Sequence, residues 1–342
     1  MLTVYSPDHV LHNPKSELNG GELVRPFERP ERVQYVLDKI DQVGLGKIIP
    51  PEEFGIEFIH RIHDVEYIEF LQTCWTEWKA AGHRGEAIPS SLPVRGMSQR
   101  RPNSIDGRMG FYAMAMETTI VEGSWAAAEA SANVALTAQA QLSQGAGSVF
   151  ALCRPPGHHA ASNLYGGYCF VNNAAVSAQA MLDQGATRIA ILDVDFHHGN
   201  GTQAIFYDRS DVLFLSLHGH PEDTFPHFLG YKDETGVSTG EGYNHNFPLR
   251  PNTTYETWSE ALLEACGIIG EYAPDALVVS LGVDTYEGDP ISFFKLKKDD
   301  FKRYGAVIAR LGLPTMFAME GGYAMEEIGA NTVNVLTGFE DS

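Results

Sequence analysis

Apolar residues along the chain fall into two alternating patterns. Short continuous runs rich in Val, Ile, Leu and Phe occupy residues 2–5, 148–153, 189–194, 212–218, 276–281 and 315–319. Between them lie stretches with apolar residues every three or four positions, at 31–43, 65–80, 124–142, 172–184, 254–272 and 299–311. Unbroken β-branched runs read as strands buried on both faces, and the helical spacing supplies the covering layers. The pattern predicts an α/β chain with three α/β/α layers around a mostly parallel central sheet. No repeat or low-complexity linker divides it, so residues 1–342 are expected to form a single domain.

One segment breaks the alternation. Residues 81–110 carry Gly82, Gly85, Pro89, Pro93, Gly96 and Pro102, with Arg95, Arg100, Arg101 and Arg108 among them, and show neither period. They are expected to form an irregular excursion, and loops of that length usually serve function or an interface.

Composition narrows the classes of partner. Lys and Arg number 24 against 44 Asp and Glu, a formal charge of −20. Such a surface repels phosphate backbones and attracts cations, so nucleic acid is excluded as an expected partner and a small cationic ligand is favoured. The simplest role of the same charge is solubility. The four cysteines show no paired spacing and read as reduced thiols of a cytoplasmic protein. No leader and no apolar run of membrane-spanning length is visible, so no membrane is expected.

Ligands of open parallel sheets bind beyond the carboxyl ends of the strands. Here those ends carry Arg154-Pro155-Pro156-Gly157-His158-His159, then Asp193-Val194-Asp195-Phe196-His197, then Gly282-Val283-Asp284, and finally Glu320-Gly321-Gly322-Tyr323. Asp193, Asp195 and His197 are spaced by two and share one side of an extended segment. With Asp284 from a neighbouring strand, Asp195 and His197 would make a metal site without thiolates that keeps a position open for water. Read alone, the same stretch also suits a turn or a solvated acidic loop; the other three strand ends favour the metal. His158 and His159 offer proton transfer, with Asp193 as the orienter of His158, and Tyr323 offers a hydroxyl to a developing oxyanion.

The stretches RPPGHHA, GGYCFVNNAA, DVDFHHGNGTQ, GVDTYEGDP and EGGY resemble those of the histone deacetylase superfamily, and they occur in its order from about residue 16 onward. ELNGGELVRPFE, the 81–110 excursion and FPHFLGY resemble most those of bacterial acetylpolyamine amidohydrolases. The resemblance implies the arginase/deacetylase fold, one zinc ion per chain on Asp195, His197 and Asp284, and catalysis by His158, His159 and Tyr323. His159 would be the general base and acid and His158 its electrostatic partner. It further implies a narrow channel walled by Tyr168 and Phe225, with the Gly167 carbonyl touching substrate. Two potassium sites are implied, one at Asp193, Asp195, His197, Ser216 and Leu217, another at Phe206, Arg209, Val212 and Tyr243. Two positions depart from the family pattern. Asn200 stands where an aspartate often orients the second histidine, and Tyr286 where histone-type members carry histidine.

The expected activity is removal of acetyl groups from N-acetylated polyamines or diamines. The alternatives are an acetyl-lysine deacetylase acting on proteins, an arginase-like ureohydrolase with two manganese ions, and a non-catalytic sensor of acetylated ligands. A long excursion narrowing the channel mouth, packed against its copy in a homodimer, would exclude polypeptides. Glu17, Asp106 and Glu117 are the candidates to meet the cationic end of the substrate.

Overall fold

In the computed structural model, which describes residues 1–342, ten strands form. They are β1 (Leu2–Val4), β2 (Glu17–Asn19), β3 (Glu22–Val24), β4 (Ile48–Ile49), β5 (Ser148–Ala151), β6 (Ile189–Asp193), β7 (Val212–Gly219), β8 (Asn244–Leu249), β9 (Ala276–Leu281) and β10 (Thr315–Met319). Eight of them make one sheet in the order β4-β1-β5-β10-β9-β6-β7-β8, and every neighbouring pair in it is parallel. The remaining two, β2 and β3, form an antiparallel hairpin turned by Gly20 and Gly21.

The helices are α1 (Glu31–Val43), α2 (Glu57–His60), α3 (Val65–Ala80), α4 (Ile105–Phe111), α5 (Ser124–Ser143), α6 (Asn173–Asp183), α7 (Asn200–Phe206), α8 (Tyr255–Tyr272), α9 (Lys298–Ala309) and α10 (Ile328–Glu340). Side chains alternate across the strands into two separate cores. Val149, Ala151, Ile189 and Ile191 pack under α3, α5 and α6. Phe150, Leu152, Ala190 and Leu192 pack under α1, α8, α9 and α10. A sheet dry on both faces explains why its strands read as unbroken apolar runs.

The elements that the apolar pattern does not predict have specific causes. The edge strands β4 and β8 are short or polar, and β8 carries Pro248, which an edge tolerates because one side of its ladder is unpaired. The last helix, α10, is rich in Asn, Thr, Val and Gly, all weak helix formers, and is held by packing against α1 and α9. The excursion is irregular only to about residue 104. Its last part winds into α4, capped by Ser104, whose hydroxyl accepts from the Gly107 N–H. No helix is long and apolar enough to cross a membrane.

Candidate metal centre and catalytic cavity

A single row of paired residues runs across five strands: Ala151, Ala318, Ser280, Asp193 and Ser216. The chain therefore leaves β5, β6, β9 and β10 within one residue of the same level, while β7 runs on to Gly219. The motifs that follow β5, β6, β9 and β10 begin near Arg154, Asp193, Gly282 and Glu320, far apart in the sequence. Their shared register is what brings them together.

Asp195, His197 and Asp284 meet there, all buried, with one ligand atom of each within 4.8 Å of the others. His197 Nδ1 lies 3.0 Å from Asp284 Oδ2 and 3.3 Å from Asp195 Oδ1. Backbone amides aim both carboxylates: Gly321 N–H donates to Asp195 Oδ2 and Phe196 N–H to Asp284 Oδ1, each at 2.8 Å. Position 321 has to be glycine, because a Cβ there would stand 2.6 Å from an oxygen of each aspartate. Burial, reinforced by Asp195, pushes the Asp284 carboxyl up to about 8. Two buried carboxylates facing one imidazole repel each other, and a divalent cation relieves that repulsion. The oxygen and nitrogen donors, with no thiolate among them, fit a catalytic zinc ion.

Beside the triad stand the two histidines. His158 Nδ1 is 2.9 Å from Asp193 Oδ2, and His159 Nδ1 is 2.6 Å from Asn200 Oδ1. Burial opposes a charge on His158, but Asp193 and Asp195 outweigh it and raise its pKa to about 10. Burial and the neighbouring His158 and His197 push His159 well below the usual imidazole range. The surroundings thus favour a proton on His158 and disfavour a second charge on His159. Tyr323 faces them from the opposite loop, where Asp289 Oδ2 accepts its N–H at 2.7 Å. Burial raises its phenol far above the ordinary value, so it stays a neutral donor.

An ion network ties these loops together. Glu28 Oε1 accepts from Arg32 Nη1 and Arg154 Nε, both at 2.8 Å, and all three side chains are nearly inaccessible. Arg32 in turn donates to the carbonyls of Gly322 (2.7 Å) and Glu320 (2.6 Å), and its guanidinium lies 4.9 Å from the Tyr323 ring centre. Glu320 Oε2 accepts the amides of Gly157 (2.6 Å) and His158 (3.1 Å). Sequence reasoning assigned none of these roles to Glu28, Arg32, Glu320 or Asp289. The spacing of Glu28 and Arg32 by four was the available signal.

A cavity of about 400 Å³ ends on His159, His197 and Tyr323. Gly167, Tyr168, Phe225 and Glu117 line it, together with the tip of the β2–β3 hairpin (Leu18, Asn19, Gly20) and Thr224, His227 and Ile291. Gly167 sits so close over the His159 ring that a side chain there would collide with it, and its φ of 55° favours glycine as well. Glu117 Oε1 accepts the Gly167 N–H at 2.7 Å. Glu17 lies one layer behind, accepting from the Tyr168 hydroxyl at 3.1 Å, and burial pushes its pKa up to about 7.

Two expectations need correction. Asp106 does not face the cavity of its own chain: it sits on α4, half exposed, 3.0 Å from His83. Nor does any residue of 81–110 line the cavity. The excursion braces its surroundings instead, with Glu86 accepting the amides of Lys15 and Ser16, and Arg95 lying 4.3 Å over the ring of Phe228. A short hairpin takes the place at the mouth because its two-glycine turn lets it fold over the site, which no apolar periodicity announces.

The remaining positions singled out from the sequence also fall into groups. Asp193 pairs with Ser216, followed by Leu217, on the adjacent strand. Phe206, Arg209, Val212 and Tyr243 gather around the turn from α7 into β7, where Arg209 N–H donates to the Phe206 carbonyl at 3.0 Å and Phe214 N–H to that of Tyr243 at 2.9 Å.

The histone deacetylase domain model matches residues 26–339. The chain is 55% identical to acetylpolyamine amidohydrolase 2 of Pseudomonas aeruginosa over 340 residues, 99% of both chains. It is 51% identical to the acetylpolyamine amidohydrolase of Mycoplana ramosa over 338 residues, again 99% of both. The crystal structure of an acetylpolyamine aminohydrolase from Burkholderia pseudomallei superposes with a TM-score of 0.94 at 39% identity, covering 99% of this chain and 98% of the other.

Two predictions come from this geometry. Replacing Asp195, His197 or Asp284 by Ala should abolish tight zinc binding while circular dichroism still reports the fold; wild-type zinc content in any of the three, measured by plasma mass spectrometry, would refute the triad. The second concerns Glu28. Burial alone would raise its pKa, but Arg154 and Arg32 outweigh that and hold it at about 2. A carboxyl with a depressed folded pKa stabilises fully above its unfolded value, about 4.3, and loses that contribution as pH falls toward 2. Glu28→Gln should cost about 3–5 kcal/mol at pH 7 by leaving two buried guanidinium groups without a counter-charge. It should also flatten the loss of stability between about pH 4.5 and 2, as read by urea denaturation.

Proposed function

Because the chain belongs to the histone deacetylase family, and is thereby a hydrolase of the deacetylase type, we propose that it removes the acetyl group from N-acetylated polyamines or diamines. One observation carries this reading. The cavity that ends on the metal triad has Glu117 in its wall and Glu17 directly behind, and no Lys or Arg lines it. Such a channel suits a thin aliphatic chain with a cationic end, which a partly desolvated carboxylate can hold by about 1.5–3 kcal/mol. The names of the relatives point the same way.

We assign one zinc ion to Asp195, His197 and Asp284, where it would polarise the acetyl carbonyl and acidify the attacking water. Asn200 Oδ1 can only accept, so His159 carries its proton on Nδ1 and turns a basic Nε2 to the cavity. That nitrogen takes the proton of the water as it adds to the carbonyl carbon. The same proton passes to the amine nitrogen as the C–N bond breaks, leaving acetic acid and the amine, which separate as acetate and the ammonium ion. His158, held as a cation by Asp193, stabilises the negative charge that gathers in between, and Tyr323 donates its hydroxyl to the oxyanion.

Potassium is assigned to the two groups around Ser216 and Leu217 and around Phe206, Arg209, Val212 and Tyr243, as structural ions. A homodimer through the excursion is supported by its apolar tip, where Val94 and Met97 are 71% and 78% exposed beside the exposed Phe228. Four unpaired thiols suit a reducing compartment, in keeping with a cytoplasmic enzyme.

Tyr323→Phe deletes one hydroxyl and leaves the triad intact. Turnover should fall about a hundredfold or more, the scale of a lost oxyanion donor, with zinc content unchanged; a rate within a few-fold of wild type would mean that the metal alone polarises the carbonyl. For the substrate, a turnover panel of acetylputrescine, acetylcadaverine, acetylspermidine, acetylspermine and an acetyl-lysine peptide should favour the small amines strongly. Efficient hydrolysis of a long acetylated peptide would sink the assignment. The panel has a pH arm, since Glu17, facing Tyr168 and influenced by Glu117 and Glu28, ionises as pH rises through about 7. The KM of an acetylated diamine should fall over that interval relative to an uncharged acetamide of equal length, and Glu17→Gln should remove the difference.

A further inference from the structure

We propose that a second cleft, beside the mouth hairpin β2–β3, binds a small polyanion with a planar body, the chemistry of a nucleotide phosphate, and that its occupant restrains the mouth. The binding stands on the cleft itself, whereas the restraint rests on the deacetylase reading above. The cleft encloses about 730 Å³, a size ordinary for small-molecule sites. Its charge runs against that of the chain. Lys15, Lys79 and Arg84 line it, in a protein whose formal charge is −20, and none of the three is in an ion pair. Of the two carboxylates that line it, Glu86 is already engaged by the amides of Lys15 and Ser16 and the Ser16 hydroxyl. That leaves Glu122 alone against three cations.

The three cations come from separate segments that local contacts hold in place. Lys79 lies in the last turn of α3, its Nζ 5.5 Å from the Trp75 ring centre and 3.4 Å from the Arg84 carbonyl. Trp78 Nε1–H donates to the Gly85 carbonyl at 3.0 Å, and its ring stacks on His83 at 3.7 Å, so the turn that bears Arg84 is pinned to α3. Lys15 arrives from the segment before the hairpin, its amide 2.7 Å from Glu86 Oε1. Between them, Trp75 offers a half-buried aromatic surface and Leu23, 65% exposed, an apolar one. Separated cations around an aromatic ring suit phosphates joined to a flat ring system, because such a ring stacks on tryptophan while the cations hold the phosphate oxygens.

The cleft and the catalytic cavity share a wall. Leu18 and Leu23 are cross-strand partners in the hairpin; the first lines the cavity and the second the cleft. The segment after α4 divides in the same way, with Glu117 in the cavity wall and Val121 in the cleft. Hydrogen bonds join these pieces: the Thr119 hydroxyl donates to the Ser16 carbonyl at 2.8 Å, and the Thr118 hydroxyl accepts the Tyr168 N–H at 2.8 Å. A ligand spanning Lys15 and Arg84 clamps the base of the hairpin to α3 and the excursion. A clamped hairpin admits substrate to a narrow passage less readily, so occupancy of the cleft lowers kcat/KM.

The test is calorimetric titration of the zinc-loaded protein with ATP, inorganic triphosphate and adenosine, followed by kinetics at saturating ATP. Wild type should bind one ATP per chain, triphosphate about tenfold more weakly for want of the stacked ring, and adenosine not measurably. Arg84→Glu and Lys15→Glu, both at exposed positions, should each weaken ATP by about tenfold or more, the scale of a lost charged hydrogen bond. Absence of ATP binding to wild type, or undiminished binding to both variants, overturns the cleft. Saturating ATP should lower kcat/KM for acetylcadaverine by about fivefold or more in wild type and leave Arg84→Glu unaffected. Binding without that change overturns the restraint, and so does equal inhibition of wild type and variant, the mark of zinc lost to a chelator. If neither protein turns over acetylcadaverine, the restraint falls with the deacetylase reading, while the titration still decides the cleft.

Discussion

Two carboxylates, Asp195 and Asp284, are buried side by side with a single imidazole between them, and the surrounding structure is arranged to make that arrangement tolerable. Burial of like charges is costly unless each is hydrogen-bonded and paired. Here the amides of Gly321 and Phe196 serve the carboxylates, and the cationic His158 with Asp193 lies just beyond. Glycine at 321 is part of the same solution, since any side chain would occupy the space between the two acids. The repulsion that remains is what a divalent cation would relieve.

A second layer fixes the two histidines and Tyr323. The histidine loop and the tyrosine loop come from β5 and β10, neighbours in the sheet, but neighbouring strands do not by themselves set the distance between flexible loop ends. Glu28, Arg32, Arg154 and Glu320 do so, through charged hydrogen bonds to backbone carbonyls and amides of both loops. Such a network is dry, and loosening one member strands others without partners, although Glu28 Oε2, Arg154 Nη2 and Glu320 Oε1 already lack one. Preorganisation of this kind lets a site stabilise a developing charge without first rearranging.

The two ends of the cavity differ in character. Toward solvent, the hairpin tip, Tyr168, Phe225 and Glu117 define a narrow passage with acidic character. Toward the interior it ends on His159, His197 and Tyr323.

Much of the architecture is legible in the chain itself. The six inner strands and six major helices follow from apolar period, because a sheet buried on both faces demands unbroken runs and a one-sided helix demands a spacing of three to four. The chemical motifs are legible for a related reason: strand ends carry residues that have no use in a core. What the sequence alone left open was decided by contacts between distant segments. The hairpin at Glu17–Asn19 and Glu22–Val24 became the mouth, while the conspicuous excursion became a brace, because loop placement depends on what a loop packs against rather than on its composition. Asp106 turned away for the same reason, and Glu17 withdrew behind Tyr168. The ion network joining residues 28, 32, 154 and 320 exists only after folding, since no local pattern records which buried charge will meet which.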